Sequence, residues 1–388
     1  MKSKAIISVI AIVTALFCAS CGKKGAESSS KGDSSAAETT AESIVTDAEE
    51  SSDSAPEGSS EPAAEEPSET DKQQTPESVS ENSANTDKKK YGRTVDINDY
   101  ISTKEIDPPL WKVTDPISGN SIYLLGTLHF LPSGVSEYPS DLIDIYNSCD
   151  SIAVEYDITA MQSDLGAQLA YAKGMIYSDG TNIKDHISEE SYNKAKDYLT
   201  SIGAYSKMLD LYTAGYWINQ LTNVEIQRLE NIDLTGTDMY FITKAKENGK
   251  EIINIEELSM QTDALNAYSD DYADYTISEM VDSIDDIDGF AKAYGDMFDM
   301  WAMGSDDVLT ATETDAEVIE FPLDLYDDYE AYTKTVFYDR NQYMAGKASE
   351  YIKEGKNCLF MVGSAHYSGE YGVDDLLAQM GYSVEKIS

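Results

Sequence analysis

The chain has 388 residues, with 28 Lys and Arg against 71 Asp and Glu, so its formal net charge is −43. Nucleic acid is thereby excluded as a partner class, because phosphate contacts need clustered Lys and Arg. With 41% hydrophobic and 10% aromatic residues the composition is still that of a globular protein, long enough for two or three domains.

Residues 1–21 read as an address. Lys2 and Lys4 form a basic start, Ala5 to Phe17 is an apolar run broken only by Ser8 and Thr14, and Ala19-Ser20-Cys21 follows. At about 1.5 Å per residue such a run falls short of a ~30 Å hydrocarbon layer, which favours a secretory signal over a membrane span. Small residues before a Cys resemble a bacterial lipobox, with Cys21 as the lipidated residue; Cys18 stands where such motifs carry a branched aliphatic residue. Acyl chains on Cys21 would hold the protein to the outer face of the membrane. From Gly22 to about Lys90 there is no aromatic residue, and 17 acidic groups face 7 basic ones among Ser, Glu, Ala, Thr and Pro. Such a segment cannot bury enough apolar surface to fold, so residues 22–95 are predicted to be a disordered acidic linker and residues 96–388 a folded domain.

Within that domain the pattern is α/β. Ser121 to Leu125 reads as a strand ending at Gly126, Leu142 to Cys149 recurs at helical spacing, and Ser151 to Tyr156 reads as a second strand. Ser188 caps a helix that opens with Glu189 and Glu190 and stops before Gly203. Helices are predicted over 205–250, a strand at Glu251 to Ile255, and mainly helix over 258–355. A strand at Leu359 to Val362, a helix at Asp374 to Met380 and a strand at Tyr382 to Ile387 end the chain. Cys149 and Cys358 read more simply as buried thiols than as a disulfide.

Two segments share one pattern. Tyr123-Leu-Leu-Gly126-Thr-Leu-His129 and Phe360-Met-Val-Gly363-Ser-Ala-His366 are each an apolar strand, a Gly, two small or apolar residues and a His. Each leads into a turn, a helix and a strand containing Val-Glu (Val154-Glu155; Val384-Glu385). The expected fold is therefore a mixed sheet with flanking helices, built from two divergent strand-GxxH-helix-strand halves around a helical insertion. Adjacent strands would bring His129 and His366 into one crevice, where open α/β sheets place their ligands. Two imidazoles and a carboxylate are the ingredients of a transition-metal site, with Glu155 and Glu256, each at a strand end, as the acidic contributors.

These residues, with Gly236-Thr-Asp238, Ile255-Glu256 and the Gln261 downstream, Trp301-Ala-Met-Gly304 and Arg340-Asn341, resemble the TraB/PrgY/GumN family over roughly Leu110 to Ser388. That family is related to the Tiki proteins, which are membrane-attached metal-dependent proteases, and more distantly to erythromycin esterases and a haem-binding group. The resemblance implies that His129 and His366 are metal ligands or catalytic histidines, Glu155 and Glu256 acidic partners, and Arg340 an electrostatic clamp.

The resulting expectation is an extracytoplasmic, lipid-anchored hydrolase using a divalent transition metal, most simply a peptidase acting on an extracellular peptide or protein. His129, Glu155 and His366 would bind the metal, Glu256 act as general base and Arg340 stabilise the oxyanion. Asp238 would contact substrate, or else cap the helix it opens. The alternatives are a binding protein that sequesters a peptide pheromone or haem-like ligand without turnover, and a metal-free esterase-like hydrolase with His as base. His186, in a polar loop, reads as structural, Trp301 as core, and the Asp-rich stretch from Asp263 to Asp288 as a solvated face.

Overall fold

The computed structural model describes residues 91–309 and 321–388. The proposed signal peptide, Cys21 and the linker up to residue 90 lie outside the described residues. The chain is already fastened at Arg93, whose guanidinium meets the Asp288 carboxylate, and at Val95, which pairs with Leu229.

Six strands form one sheet: β1 Leu110–Thr114, β2 Ser121–Thr127, β3 Ser151–Val154, β4 Glu251–Asn254, β5 Cys358–Gly363 and β6 Ser383–Lys386. Their order across the sheet is β6-β1-β2-β5-β3-β4. The last four are mutually parallel, while β1 runs antiparallel to both β2 and β6. The sheet is thus mixed, as expected. β5 is buried along its whole length, consistent with its unbroken apolar run, and alternates between two cores. Phe360 and Val362 face one side and Leu359 and Met361 the other. Each of these side chains contributes about 1.5–3 kcal/mol by leaving water, which makes β5 the spine of the domain.

Helices cover both faces. α1 (Ser140–Ser148) and α4 (Gly236–Asn248) pack on one through Leu142, Tyr146, Phe241 and Ile242. α8 (Asp339–Glu354) and α9 (Val373–Gln379) pack on the other through Met344, Ala348, Ile352 and Leu377. Between β3 and β4 the chain adds α2 (Glu189–Ser201) and α3 (Ala214–Gln227); after β4 come α5 (Leu258–Leu265), α6 (Asp270–Ser283) and α7 (Ile287–Ala302). α2, α3 and α6 form a separate core around Trp217. Ser188 caps α2, as its sequence indicates. Among the described residues no helix is long and apolar enough to cross a membrane.

The two GxxH segments occupy matched places: Thr127 at the end of β2 stands in register with Gly363 at the end of β5. Beyond the two histidines the segments diverge. α1 and α9 lie on opposite faces, and Glu385 stands exposed on an edge strand opposite Lys112. Cys149 and Cys358 are free, buried thiols, and Trp301 is core, its indole donating to the Gly126 carbonyl at 2.9 Å.

Candidate functional site

Four neighbouring parallel strands deliver one residue each to the same end of the sheet. His129 lies two residues beyond β2, His366 three beyond β5, Glu155 one beyond β3 and Glu256 two beyond β4. This is the carboxyl edge, where backbone leaves the sheet and side chains are free to converge.

The convergence is measurable at Gly363. Its amide donates to Glu155 Oε1 at 2.7 Å. A Cβ added there would stand 3.3 Å from Glu155 Oε1, 3.8 Å from His129 Nε2 and 3.9 Å from His366 Cδ2. Glycine therefore keeps open a gap onto which both imidazoles and a carboxylate border. His366 Nε2 lies 3.8 Å from Glu155 Oε1 across it.

Each imidazole is held from behind. Asn341, near the start of α8, donates its amide to the Tyr371 carbonyl at 2.8 Å, so its Oδ1 faces His366 Nδ1, 2.5 Å away. An acceptor there places the proton on Nδ1 and leaves the Nε2 lone pair toward the gap. Burial, joined by the positive charge of Arg340, lowers the His366 pKa to about 3, so this ring is neutral at physiological pH.

His129 Nδ1 lies 3.0 Å from Asp238 Oδ2, a close contact without the alignment of a hydrogen bond, while Asp238 Oδ1 accepts from the Thr127 hydroxyl at 2.9 Å. Gly236 makes this approach possible. It has φ 59°, and a Cβ there would meet the His129 carbonyl at 2.2 Å, so only glycine lets the start of α4 touch the GxxH turn. Burial by itself would lower the His129 pKa, but the charge and contact of Asp238, with Glu155 adding, raise it above the ordinary value. The His129 side chain keeps 31% of its surface exposed against 3% for His366, making it the solvent-facing member of the pair.

Arg340 ties the carboxylates together. Its Nε donates to Glu256 Oε1 at 2.8 Å, its Nη2 to Glu256 Oε2 at 2.9 Å and to Glu155 Oε2 at 2.8 Å, and its Nη1 to the Val336 carbonyl at 3.3 Å. Gln261 on α5 donates to Glu256 as well and to Glu155 at 3.3 Å. Burial raises the Glu155 pKa, yet the positive charges around it, of His366 when protonated, of Arg340 and of His129, outweigh it and bring it down to about 2, leaving a carboxylate at the gap. Glu256 is the opposite case. Its side chain is fully buried and burial raises its pKa against the pull of Arg340.

The residues expected from sequence are thus gathered at one end of the sheet. Glu256 has both oxygens engaged by Arg340 and Gln261, and its side chain is fully buried. Arg340 is turned toward Glu155 and Glu256 rather than toward an open oxyanion position; the neighbours Asp339 and Glu350 pair instead with Lys334 and Lys347. Asp238 backs His129. Two motif residues with no role expected from sequence, Asn341 and Gln261, complete the array. His186 is structural, stacked on Tyr177 at 3.9 Å and held between Asp270 and Thr181. In the Asp-rich stretch Asp286 caps α7 and Asp288 holds Arg93 and Tyr100.

The donor types are those a divalent cation takes: His129 Nε2, the His366 ring and a carboxylate oxygen of Glu155 border one gap, and the two carboxylates Glu155 and Glu256 share the single guanidinium of Arg340. Among the described residues, no group of three or more His, Cys, Asp or Glu side chains is placed so that it could hold a metal ion as it stands.

The sequence profile of the TraB/PrgY/gumN family matches residues 109–386. The chain belongs to this family. It is also similar to the Metalloprotease TIKI2 of Danio rerio, 21% identical over 327 residues that cover 74% of this chain and 62% of that protein. The Metalloprotease TIKI2 of Xenopus tropicalis is 21% identical over 337 residues, covering 75% and 60%. The chain therefore spans about three fifths of the length of these curated relatives. No solved structure gives a significant match.

Proposed function

We propose that this TraB/PrgY/gumN-family domain is a metal-dependent hydrolase, a peptidase acting on an extracellular peptide or protein, carried on a lipid-anchored stalk through Cys21. The observation that carries the reading is the gap over Gly363, bordered by His129 Nε2, the His366 ring and Glu155 Oε1 while the Nδ1 sides of both rings face Asp238 and Asn341. The distant similarity to proteins named metalloproteases supports the same class. His129, His366 and Glu155 would hold the ion. When bound, a divalent metal supplies Lewis acidity toward a carbonyl and lowers the pKa of a coordinated water.

The remaining duties fall to the chain. Asn341 holds the His366 ring with its lone pair toward the gap, and Asp238 holds His129. Glu155, kept ionised, offers Oε1 to the gap while its Oε2 stays on Arg340. Arg340, anchored by Glu256 and Gln261, fixes the rotamer of Glu155 and limits how far that carboxylate can swing. The two GxxH units are read as divergent halves around a helical insertion, supported by their matched ends on β2 and β5.

A second reading has its own observation. The partly exposed His129 beside Asp238 is also the arrangement of an imidazole base with its orienting carboxylate, which needs no metal. Elemental analysis of the purified full chain, paired with peptide cleavage before and after chelation, separates the two. Bound transition metal with chelator-sensitive cleavage supports the first; cleavage that survives complete demetallation supports the second; and peptide or haem capture without fragments would leave only a sequestering protein.

A further inference from the structure

The helix Leu165–Gly174, in the connection that leaves β3 past Glu155, has its polarity reversed. No residue of it is buried. At about 100° of rotation per residue, the half-buried Ala167, Tyr171 and Gly174 share one face, and Leu165 and Leu169 stand on the opposite one, 68% and 62% exposed. A surface helix ordinarily turns polar side chains outward. Here the outward stripe is two leucines one turn apart.

Both ends of this helix are fixed beside the site. At the start, Asp164 caps it by accepting from the Gly166 and Ala167 amides at 2.8 and 3.2 Å. Burial raises the pKa of Tyr156, the residue after Glu155, and the nearby carboxylates of Asp164, Asp157 and Glu257 add to it, which places the helix start and Glu257 around that hydroxyl. At the other end, Asn266 donates to the Gly174 carbonyl at 2.8 Å, and a Cβ on Gly174 would stand 3.0 Å from Thr262, the neighbour of Gln261. The ground between helix and gap is acidic: Asp164 and Glu257 are exposed, while Asp157 pairs with Lys246 at 3.1 Å.

Resting on the peptidase reading of the site, we infer that this helix face is a docking surface for the peptide substrate, and that the substrate class is cationic amphipathic peptides, whose apolar side chains cover Leu165 and Leu169 while Lys or Arg meets Asp164 and Glu257. Covering the leucine pair supplies attraction by removing apolar surface from water, and the field of an acidic domain draws cationic chains toward it. A second copy of this chain, of net charge −43, or an anionic lipid surface would bring like charge to the same ground.

The test uses the full chain and three short labelled peptides: one rich in Lys and Leu, its counterpart with Glu for Lys, and its counterpart with Ser for Leu. Binding is read by fluorescence anisotropy and cleavage by mass spectrometry. The Lys and Leu peptide should bind at least about tenfold more tightly than either counterpart. That margin should vanish in the Leu165→Ser/Leu169→Ser variant, which alters no buried residue and should melt like the parent. If the peptide is cut, the variant should raise KM and leave kcat unchanged, the sign of lost docking rather than damaged chemistry. Binding that follows both the leucines and the lysines, but with no fragments, would keep the docking surface and remove the peptidase. Equal binding by parent and variant, equal binding of the Glu counterpart, no binding of any peptide, or sedimentation showing that the leucine pair instead joins two copies of the chain would each overturn the inference.

Discussion

Replacing Glu256 by Gln probes the Arg340 anchor directly. The carboxylate now accepts from Arg340 Nε through Oε1, and from Arg340 Nη2 and Gln261 Nε2 through Oε2. A Gln side chain has one acceptor and one donor end, so at least one of those donors is left facing an NH₂ group. An orphaned buried donor costs about 1–3 kcal/mol, and removing one partner of a buried ion pair about 3–5. Two effects reduce the total: Glu155 still pairs with Arg340 at 2.8 Å, and the burial cost that raises the Glu256 pKa disappears. A net loss of about 2–4 kcal/mol remains, which for a domain of this size lowers Tm by roughly 3–7 °C. Thermal melts followed by circular dichroism measure this, with turnover compared at a temperature where both proteins are folded. A variant as stable as the parent yet wholly inactive would refute the anchoring role and return Glu256 to the part of general base.

Gly363→Ala should preserve the fold but impair the site, because the new Cβ would stand 3.3 Å from Glu155 Oε1 between the imidazoles; we expect activity or metal affinity to fall by about 10- to 100-fold with little change in Tm. Gly126→Ala should do the reverse, since its Cβ would meet the Ser364 hydroxyl at 2.6 Å and Pro109 Cγ at 2.8 Å; about 1–3 kcal/mol of stability should be lost in a denaturant titration. For pH, protons compete for His129, whose pKa is raised by Asp238, while His366 is already neutral; activity should therefore climb with pH through a limb shifted upward from the ordinary imidazole value. Asp238→Asn removes the charge that raises it, so a pH–rate profile should show this limb moving to lower pH, and a limb that does not move would assign it to another group. The same raised pKa in the folded state gives stability that is present below the unfolded value and lost as pH rises through the folded one, opposite in sign to the activity.

Much of this arrangement is legible in the sequence because it is local. A glycine closing an apolar run and a His three residues later describe a strand end with its projecting side chain, and the duplication of that pattern is enough to link His129 with His366. Glu155 is legible for the same reason, as a charge directly after an apolar strand. Strand β1 escapes a local reading because its five residues follow Pro108 and Pro109, and its place is decided by pairing with β2 and the C-terminal β6. The duties of Glu256, Arg340 and Asp238 depend on which distant side chain each one meets, and no local pattern separates a free carboxylate from a paired one. Asn341 carries a usable signal: neighbouring residues on a helix diverge by about 100°, so Arg340-Asn341 can serve two targets, Glu256 and His366, from one turn. The π-helical turn Lys334–Tyr338 that precedes this pair has no such signature.

The most direct measurement is a metal-binding cycle on the full chain, with content and affinity determined for the parent, His129→Ala, His366→Ala and the double variant. If both rings serve one ion, each single substitution should remove most of the bound metal and the double variant should lose little more, a strong departure from additivity. Full metal retention in either single variant, or losses that simply add, would contradict a shared site for the two histidines.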